Sequence, residues 1–357
     1  MFLKLISKIY SYFVDRRNSQ YNNGEIELVK CDIPVISIGN LSVGGSGKTP
    51  VTIFIANLLK ENGIKPGIIG RGYKRRSSGE IIVSGGEDEN GELNIEVSAE
   101  EAGDEMYLVA KETRCPVIAS EIKNQAALSI QSKFDIDCIL VDDGYQHRKL
   151  HRDINILLID DQTLKYPELI PKGRLREKFA NYKRADIVLI TANVEKNNSL
   201  LKPILDSCVF FYVERYEAGS FILNNNSKFD NLSINDVVLL SSIANPVNYE
   251  NNMKSLGKKI IKHFIFNDHH NYTERDIINI INYLKKNSIN YLFTTEKDSV
   301  KLIKFLNEFI SHKINIIVNS IGINIYRGKG DTSDNAESVN HFKNLLLNKM
   351  IKKNENE

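Results

Sequence analysis

The segment Ser42-Val43-Gly44-Gly45-Ser46-Gly47-Lys48-Thr49 carries the most concentrated chemistry in the chain. It follows a short apolar run at 35–38 and opens a helical pattern at 50–62, which is the strand, loop and helix setting of a phosphate loop. Glycines let successive backbone N–H groups turn toward phosphate oxygens, Lys48 brings a point charge to the β and γ phosphates, and the Thr49 hydroxyl suits magnesium. The ligand this predicts is a nucleoside triphosphate. Ser42 stands where the usual GxxxxGK[ST] pattern has its first glycine, so the loop is identified by its setting as well as by its letters.

A phosphate loop works with a further acid, and Cys138-Ile139-Leu140-Val141-Asp142-Asp143 reads as an apolar strand ending in two carboxylates. At the carboxyl edge of a parallel sheet these face the loop, and Asp143 is taken as the metal-side acid, directly or through water. Transfer to an alcohol also asks for a proton acceptor. Gly103-Asp104-Glu105 offers one, although spacing alone would not select it, and Asp268-His269-His270 puts an imidazole beside a carboxylate. Arg174, Arg176 and Glu177 in Gly-Arg-Leu-Arg-Glu add cations for transferring oxygens and another carboxylate, as does Lys297 in Thr-Thr-Glu-Lys-Asp. Taken singly, each of these clusters is also what a solvated surface shows.

Such scattered residues need a frame that gathers them. Apolar runs at 34–38, 67–69, 117–119, 137–141, 154–159 and 186–190 alternate with helical patterns at 50–62 and 122–132. That order predicts an α/β fold, P-loop NTPase-like, with a mostly parallel sheet covered by helices on both faces. A second set of runs at 237–240, 260–266, 291–294 and 314–318, with a helix opened by a Thr273/Asp276 capping box, predicts a smaller second α/β domain. The expected division is 1–20 as an N-terminal helix, 21–210 as the phosphate-loop core, 211–335 as the smaller domain, and 336–357 as a helix with a charged tail. The Asn-rich stretch 224–227 reads as a boundary or surface turn.

With 357 residues, 42% hydrophobic and 26% charged, the chain has the balance of a folded protein and the length for more than one core. Lys and Arg number 47 against 45 Asp and Glu, and a net +2 gives no overall field that argues for nucleic acid. Cys31, Cys115, Cys138 and Cys208 are scattered without a CxxC pair, which fits a reducing cytoplasm better than a disulfide framework or zinc knuckle. No run approaches the roughly 18 apolar residues that span a bilayer, so the reading is of a chain neither membrane-spanning nor exported. Residues 2–17 are amphipathic. Phe2, Leu5, Ile6, Ile9, Tyr10 and Phe13 share one side of a helix, Lys4, Lys8, Ser11 and Asp15 the other, and Arg16 and Arg17 close it. Such a helix either docks on a core, which periodicity alone favours, or lies in the headgroup layer of an anionic membrane.

The order of Gly39-Asn40-Leu41 with the phosphate loop and Pro50, Arg71-Gly72-Tyr73, Gly103-Asp104-Glu105, Asp142-Asp143-Gly144-Tyr145-Gln146-His147, Leu175-Arg176-Glu177, Ala244-Asn245-Pro246, Asp268-His269 and Thr295-Glu296-Lys297-Asp298 carries a resemblance. Over nearly its whole length the sequence resembles the tetraacyldisaccharide 4′-kinases, the lipid A 4′-kinases of Gram-negative bacteria. The resemblance implies transfer of the γ-phosphate of ATP, with Mg2+, to the 4′-hydroxyl of a tetraacylated glucosamine disaccharide 1-phosphate in lipopolysaccharide synthesis. It places this chemistry on the cytoplasmic face of the inner membrane and makes residues 2–17 a peripheral membrane anchor. The implied partners are the acylated disaccharide lipid and the membrane surface, with neither nucleic acid nor an obligate protein partner. Carried over by residue, Asp104 is the general base and His269 its partner, Lys48 and Arg176 stabilise charge, and Asp142 is a nearby essential acid. Ser42, Val43, Gly44, Gly45, Ser46, Gly47, Lys48 and Thr49 form the nucleotide cradle, and Thr49, Glu105, Asp143 and Glu177 surround the magnesium.

Two other readings start from the same loop. One is a cytoplasmic P-loop ATPase of the partitioning or cluster-carrier type, whose loop carries a lysine where this chain has Val43. The other is a nucleotide-binding membrane adaptor without turnover, against which the paired acids and the candidate base speak.

Overall fold

Val35-Ile36-Ser37-Ile38 and Cys138-Ile139-Leu140-Val141 are apolar or small at every position, so both faces of these strands need cover, and parallel pairing beneath flanking helices supplies it. The computed structural model of the chain describes residues 2–45, 47–191, 198–229, 234–328 and 335–354. Its strands are β1 (Val35–Asn40), β2 (Pro66–Gly70), β3 (Ile81–Glu87), β4 (Leu93–Asn94), β5 (Pro116–Ala119), β6 (Cys138–Asp142), β7 (Ile154–Ile159), β8 (Ile187–Thr191), β9 (Phe210–Ile222), β10 (Asp236–Ser241), β11 (Lys259–Ile265), β12 (Tyr291–Thr295) and β13 (Asn315–Tyr326). They join in one 13-stranded sheet, ordered β11-β10-β12-β13-β9-β8-β7-β1-β6-β2-β5-β3-β4. Pairing is antiparallel where β13 meets β9 and where β3 meets β4 and β5, and parallel elsewhere, so the sheet is mostly parallel, as expected.

Helices cover both faces. Ile36, Ile38 and Leu140 pack with residues of the helices Lys48–Lys60 and Asp104–Thr113, while Val35, Ile139 and Val141 pack with residues of the helix Lys123–Lys133. The second half repeats the layering, with Val238, Leu240 and Leu292 on the side of helix Glu274–Lys286 and Val237, Leu239 and Phe293 on the side of helix Pro246–Ser255. The Thr273 capping box opens the former helix as its sequence predicts.

The two halves are spliced by long strands. β9 begins parallel to β8 at Phe210 and continues antiparallel to β13 as far as Ile222, while the start of β13 pairs parallel with β12. The division drawn at 210/211 therefore falls inside β9, and a turn follows its end at 223–225. The C-terminal helix Asn335–Asn354 returns to the first half, where Phe342, Leu346 and Met350 share a core with Ile36, Ile154 and Phe211.

The N-terminal helix spans Phe2–Asn22, longer than the 2–17 periodicity. Phe2, Leu3, Leu5, Ile9, Tyr12 and Phe13 are exposed on it. Tyr10, placed among them by its spacing, instead turns inward, because its hydroxyl donates to the Arg176 carbonyl at 2.8 Å. Among the described residues no helix is long and apolar enough to cross a membrane.

Phe342 is fully buried, its ring 5.4 Å from that of Phe211 in an edge-to-face contact. Phe342→Ala is expected to lower unfolding free energy by about 3–5 kcal/mol, read from a denaturant midpoint at unchanged slope. An unchanged midpoint would mean that the last helix does not contribute to the first core.

Candidate active site

β1 ends in the loop, and the loop is fastened before its glycines begin. The Ser42 hydroxyl, buried, accepts from Asn40 Nδ2 at 3.1 Å and from Thr163 Oγ1 at 3.0 Å. The residue that replaces the pattern's first glycine is thus a packed hydrogen-bonding hub. The Val43 N–H donates to the Arg174 carbonyl at 2.8 Å and the Arg176 N–H to the Leu41 carbonyl at 2.7 Å, which ties the loop to the 174–176 segment. Gly44 and Gly47 have φ of +108° and +83°, and any side chain there would collide with the guanidinium groups of Arg174 and Arg215 respectively. Gly44 and Gly45 are exposed, Val43 is half-buried, and Ser46 lies outside the described residues. Lys48 opens the following helix with Nζ 3.5 Å from Asn40 Oδ1 and 3.6 Å from the Asp143 carboxylate. Thr49 is half-buried in that first turn, where Pro50 loses no intrahelical bond.

β6 delivers the paired acids to the same edge. Asp142 is buried and accepts from Thr52 Oγ1 at 3.2 Å. Burial raises its pKa to about 6, and the charge of Glu105 adds to the rise. Asp143 takes a left-handed φ of +52°, and its oxygens lie 2.9 and 3.0 Å from Arg176 Nη1. Burial works against its charge, yet Lys48 and Arg176 outweigh it and hold this carboxyl well below the usual range. Beneath both sits Lys123, buried, donating to the Asp143 carbonyl at 2.7 Å and to the Asp142 carbonyl. Burial pushes its amine down to about 8. Lys123 gives no signal in the sequence, because a lysine opening a helix among polar neighbours looks like a surface residue.

The rest of the Asp-Asp-Gly-Tyr-Gln-His motif braces this pair. Tyr145 is buried against Gly39, where an added Cβ would come within 2.7 Å of it. Gln146 donates to the Asn40 carbonyl at 2.8 Å and to Glu177 at 2.9 Å, and accepts from Arg176 at 3.1 Å. Glu177 is 2% exposed. One of its oxygens accepts from Gln146 and Arg184, the other from Asn18 and Asn181, so the carboxylate assigned to magnesium by resemblance is occupied by protein donors.

The candidate base comes from the sheet's other helices. Asp104 opens the helix Asp104–Thr113 and accepts from the Glu105 N–H at 2.9 Å. Gly103 (φ +82°) and Gly72 (φ +64°) approach so closely that a side chain on either would meet backbone, which accounts for the Arg71-Gly72-Tyr73 motif. From the far half, His269 sets Nδ1 2.9 and 3.1 Å from the Asp104 oxygens and Nε2 3.0 Å from Lys297 Nζ. An ammonium only donates, so His269 accepts at Nε2 and gives its Nδ1 proton to Asp104. Lys297 also lies 3.3 Å from Glu105, and Lys301 3.7 Å from Asp104. Burial would raise Asp104, but the His269 hydrogen bond with Lys297 and Lys301 lowers its pKa. Lys301 is held in turn by buried Asp298 at 2.8 Å, which also accepts from Ser242, Tyr272 and Thr295. Asp298 stood in a recognised motif with no role attached, and Lys301 and Arg215 gave no sequence signal at all.

The edge thus joins an anion cradle, two acids with fixed cations, and a carboxylate–imidazole pair. Among the described residues no three His, Cys, Asp or Glu side chains gather to hold a metal by themselves. Thr49, Asp142, Asp143 and Glu105 remain as oxygen donors for one bound together with phosphates.

The sequence model of LpxK, tetraacyldisaccharide-1-P 4'-kinase, matches residues 1–332. A tetraacyldisaccharide 4'-kinase of Aquifex aeolicus is 37% identical over 309 residues, covering 85% of this chain and 90% of that protein. One of Bdellovibrio bacteriovorus is 33% identical over 315 residues, covering 86% and 91%. In structure the chain is similar to LpxK from Aquifex aeolicus in complex with ATP, with a TM-score of 0.76, 31% identity and 97% of each chain covered.

Lys123 yields a test of this geometry by pH. Its folded pKa, about 8, lies below the ordinary 10.5, so between them the unfolded chain holds more protons and this group's contribution to stability rises with pH. The difference in unfolding free energy between the native protein and Lys123→Met is expected to grow by on the order of 3 kcal/mol across that window. A flat difference would show that the amine is not held in a desolvated site.

Proposed function

This chain belongs to the tetraacyldisaccharide-1-P 4'-kinase family, and from that premise we propose that it transfers the γ-phosphate of ATP to the 4′-hydroxyl of a tetraacylated glucosamine disaccharide 1-phosphate, a step of lipid A synthesis. The observation that carries the reading is the Asp104–His269 pair, built from opposite halves of the chain at the edge that holds the phosphate loop.

Phosphoryl transfer asks for alignment, for positive charge around the transferring oxygens and for somewhere to put one proton. Asp104 accepts that proton as the 4′-oxygen forms its bond to phosphorus and ADP leaves. His269 keeps Asp104 ionised and aimed, and Lys297 keeps His269 in the tautomer that can do so. Lys48 and Arg176, both resting on Asp143, are the cations for the γ-phosphate. Ser42 to Thr49 cradle the phosphates, and Arg174 and Arg215 border that cradle.

Magnesium fits the oxygen donors Thr49, Asp142 and Asp143. Asp142 in particular is a buried carboxylate whose charge burial disfavours and Glu105 opposes. Held there, the ion would supply positive charge to the phosphates of the nucleotide. Glu105, turned toward Lys297, sits between this set and the base, and Glu177 we assign to positioning, because its oxygens already serve four protein donors.

The substrate is a lipid, and the exposed Phe2, Leu3, Leu5, Ile9, Tyr12 and Phe13 supply a face for the bilayer. The chain works as a peripheral protein on the cytoplasmic face of the inner membrane.

Asp104→Ala is expected to cut transfer of labelled γ-phosphate to a tetraacyldisaccharide 1-phosphate in detergent micelles by about 10²- to 10⁴-fold while ATP affinity holds. Bound ATP without lipid product from the native protein would support the adaptor reading, and lipid-independent hydrolysis the ATPase. In His269→Ala the pKa of Asp104 rises, because burial is then opposed by fewer favourable partners. Since the base acts ionised, the acid limb of the kcat/KM profile should move to higher pH, and an unmoved limb would remove Asp104 from that role.

A further inference from the structure

The helix Phe2–Asn22 has two working sides, and only the apolar one concerns lipid. On the other, Ser7 Oγ donates to the Leu169 carbonyl at 2.9 Å, Tyr10 Oη to the Arg176 carbonyl at 2.8 Å, and Arg17 to the Gln146 carbonyl at 2.7 Å. Asn18 donates to Glu177 at 3.2 Å, Arg148 donates to the Asn18 carbonyl at 3.0 Å, and Asp15 pairs with Lys178 at 2.8 Å. These contacts fall on two segments, 146–148 and 169–178. The same two segments set the cation on Asp143: Arg176 supplies the guanidinium, and Gln146 accepts from it at 3.1 Å.

The Arg176 peptide is clamped from both sides. Its N–H is held by the Leu41 carbonyl at the phosphate loop, and its carbonyl is held by Tyr10. A helix serving only as an anchor needs its apolar face and some attachment to the protein; it has no need to hold the backbone of a catalytic arginine. We propose that the N-terminal helix is a wall of the phosphoryl-transfer centre, with Tyr10 and Asn18 as positioning residues for Arg176 and Glu177. Contact with lipid and alignment of Arg176 then share one element. The inference rests on the kinase reading above.

The test compares full-length native protein, Tyr10→Phe and Asn18→Ala in the micellar transfer assay, each also in an Arg176→Lys background. Tyr10→Phe is expected to lower kcat about three- to tenfold with KM for ATP unchanged. Sedimentation with vesicles of phosphatidylglycerol and phosphatidylcholine, and the unfolding midpoint, should match the native protein. In the Arg176→Lys background the same substitution should have little further effect, since coupled residues are not additive. An unchanged kcat in both Tyr10→Phe and Asn18→Ala would overturn the inference. So would losses that multiply in full with Arg176→Lys, or losses that follow vesicle binding or stability. A native protein that makes no lipid product would instead bring down the kinase reading, and the inference with it.

Discussion

A carboxylate is tolerated inside a protein when cations and donors come with it, and the carboxyl edge of this sheet is organised around that constraint. Asp104, Glu105, Asp142 and Asp143 crowd one cleft, and Lys48, Lys123, Arg176, Lys297 and Lys301 answer them. The balance is uneven by site. Asp143, with Lys48 and Arg176 on its oxygens, stays ionised with ease, whereas Asp142 sits a few ångströms of backbone away with its charge disfavoured. Two neighbouring acids are thus set apart by their surroundings, Asp143 by the cations on its oxygens and Asp142 by burial.

Satisfying those charges dictates the architecture. The cations arrive from the loop after β1, from the helix after β5, from the 174–176 segment and from the helix after β12, so no single βα unit can build the site. Asp104 and His269 are 165 residues apart in the chain yet in hydrogen-bond contact, and Lys297 joins from the same far half. The β9–β13 ribbon is what makes this possible. By running antiparallel to each other while keeping parallel partners on their outer sides, these strands carry one sheet across both halves. The carboxyl edges of the parallel strands in the two halves then face a common cleft, which is where ligands of parallel α/β sheets bind.

How much of this was written in the sequence depended on whether a residue's role lies in its own neighbourhood. The phosphate loop, the acids after β6 and the alternating strands were legible because each is a local pattern of period or spacing. Lys123 and Lys301 were not, since a buried lysine differs from an exposed one only in what surrounds it after folding. β9 was missed for a related reason: Phe210-Phe211-Tyr212-Val213 reads as a strand, but Glu214-Arg215-Tyr216-Glu217 breaks the apolar pattern at the very point where the strand crosses between halves. Tyr10 shows a subtler failure. Helical spacing sorts residues by polarity, and a tyrosine has an apolar ring with a polar tip, so its spacing put it with Phe13 while its hydroxyl found the Arg176 carbonyl.

The position of that helix also follows from the substrate. Withdrawing an acylated lipid from a bilayer costs about 0.8 kcal/mol for every CH₂ exposed, so the enzyme must bring its reacting centre to the headgroup layer. An anchor on a flexible tether would reach the surface but leave the cleft free to tumble above it. Here the helix is bonded to the segments carrying Arg176 and Gln146, and its apolar residues point away from them. On the proposal that this face meets the bilayer, the membrane surface and the transferring phosphate are referred to the same element, and orientation at the membrane becomes orientation at the site.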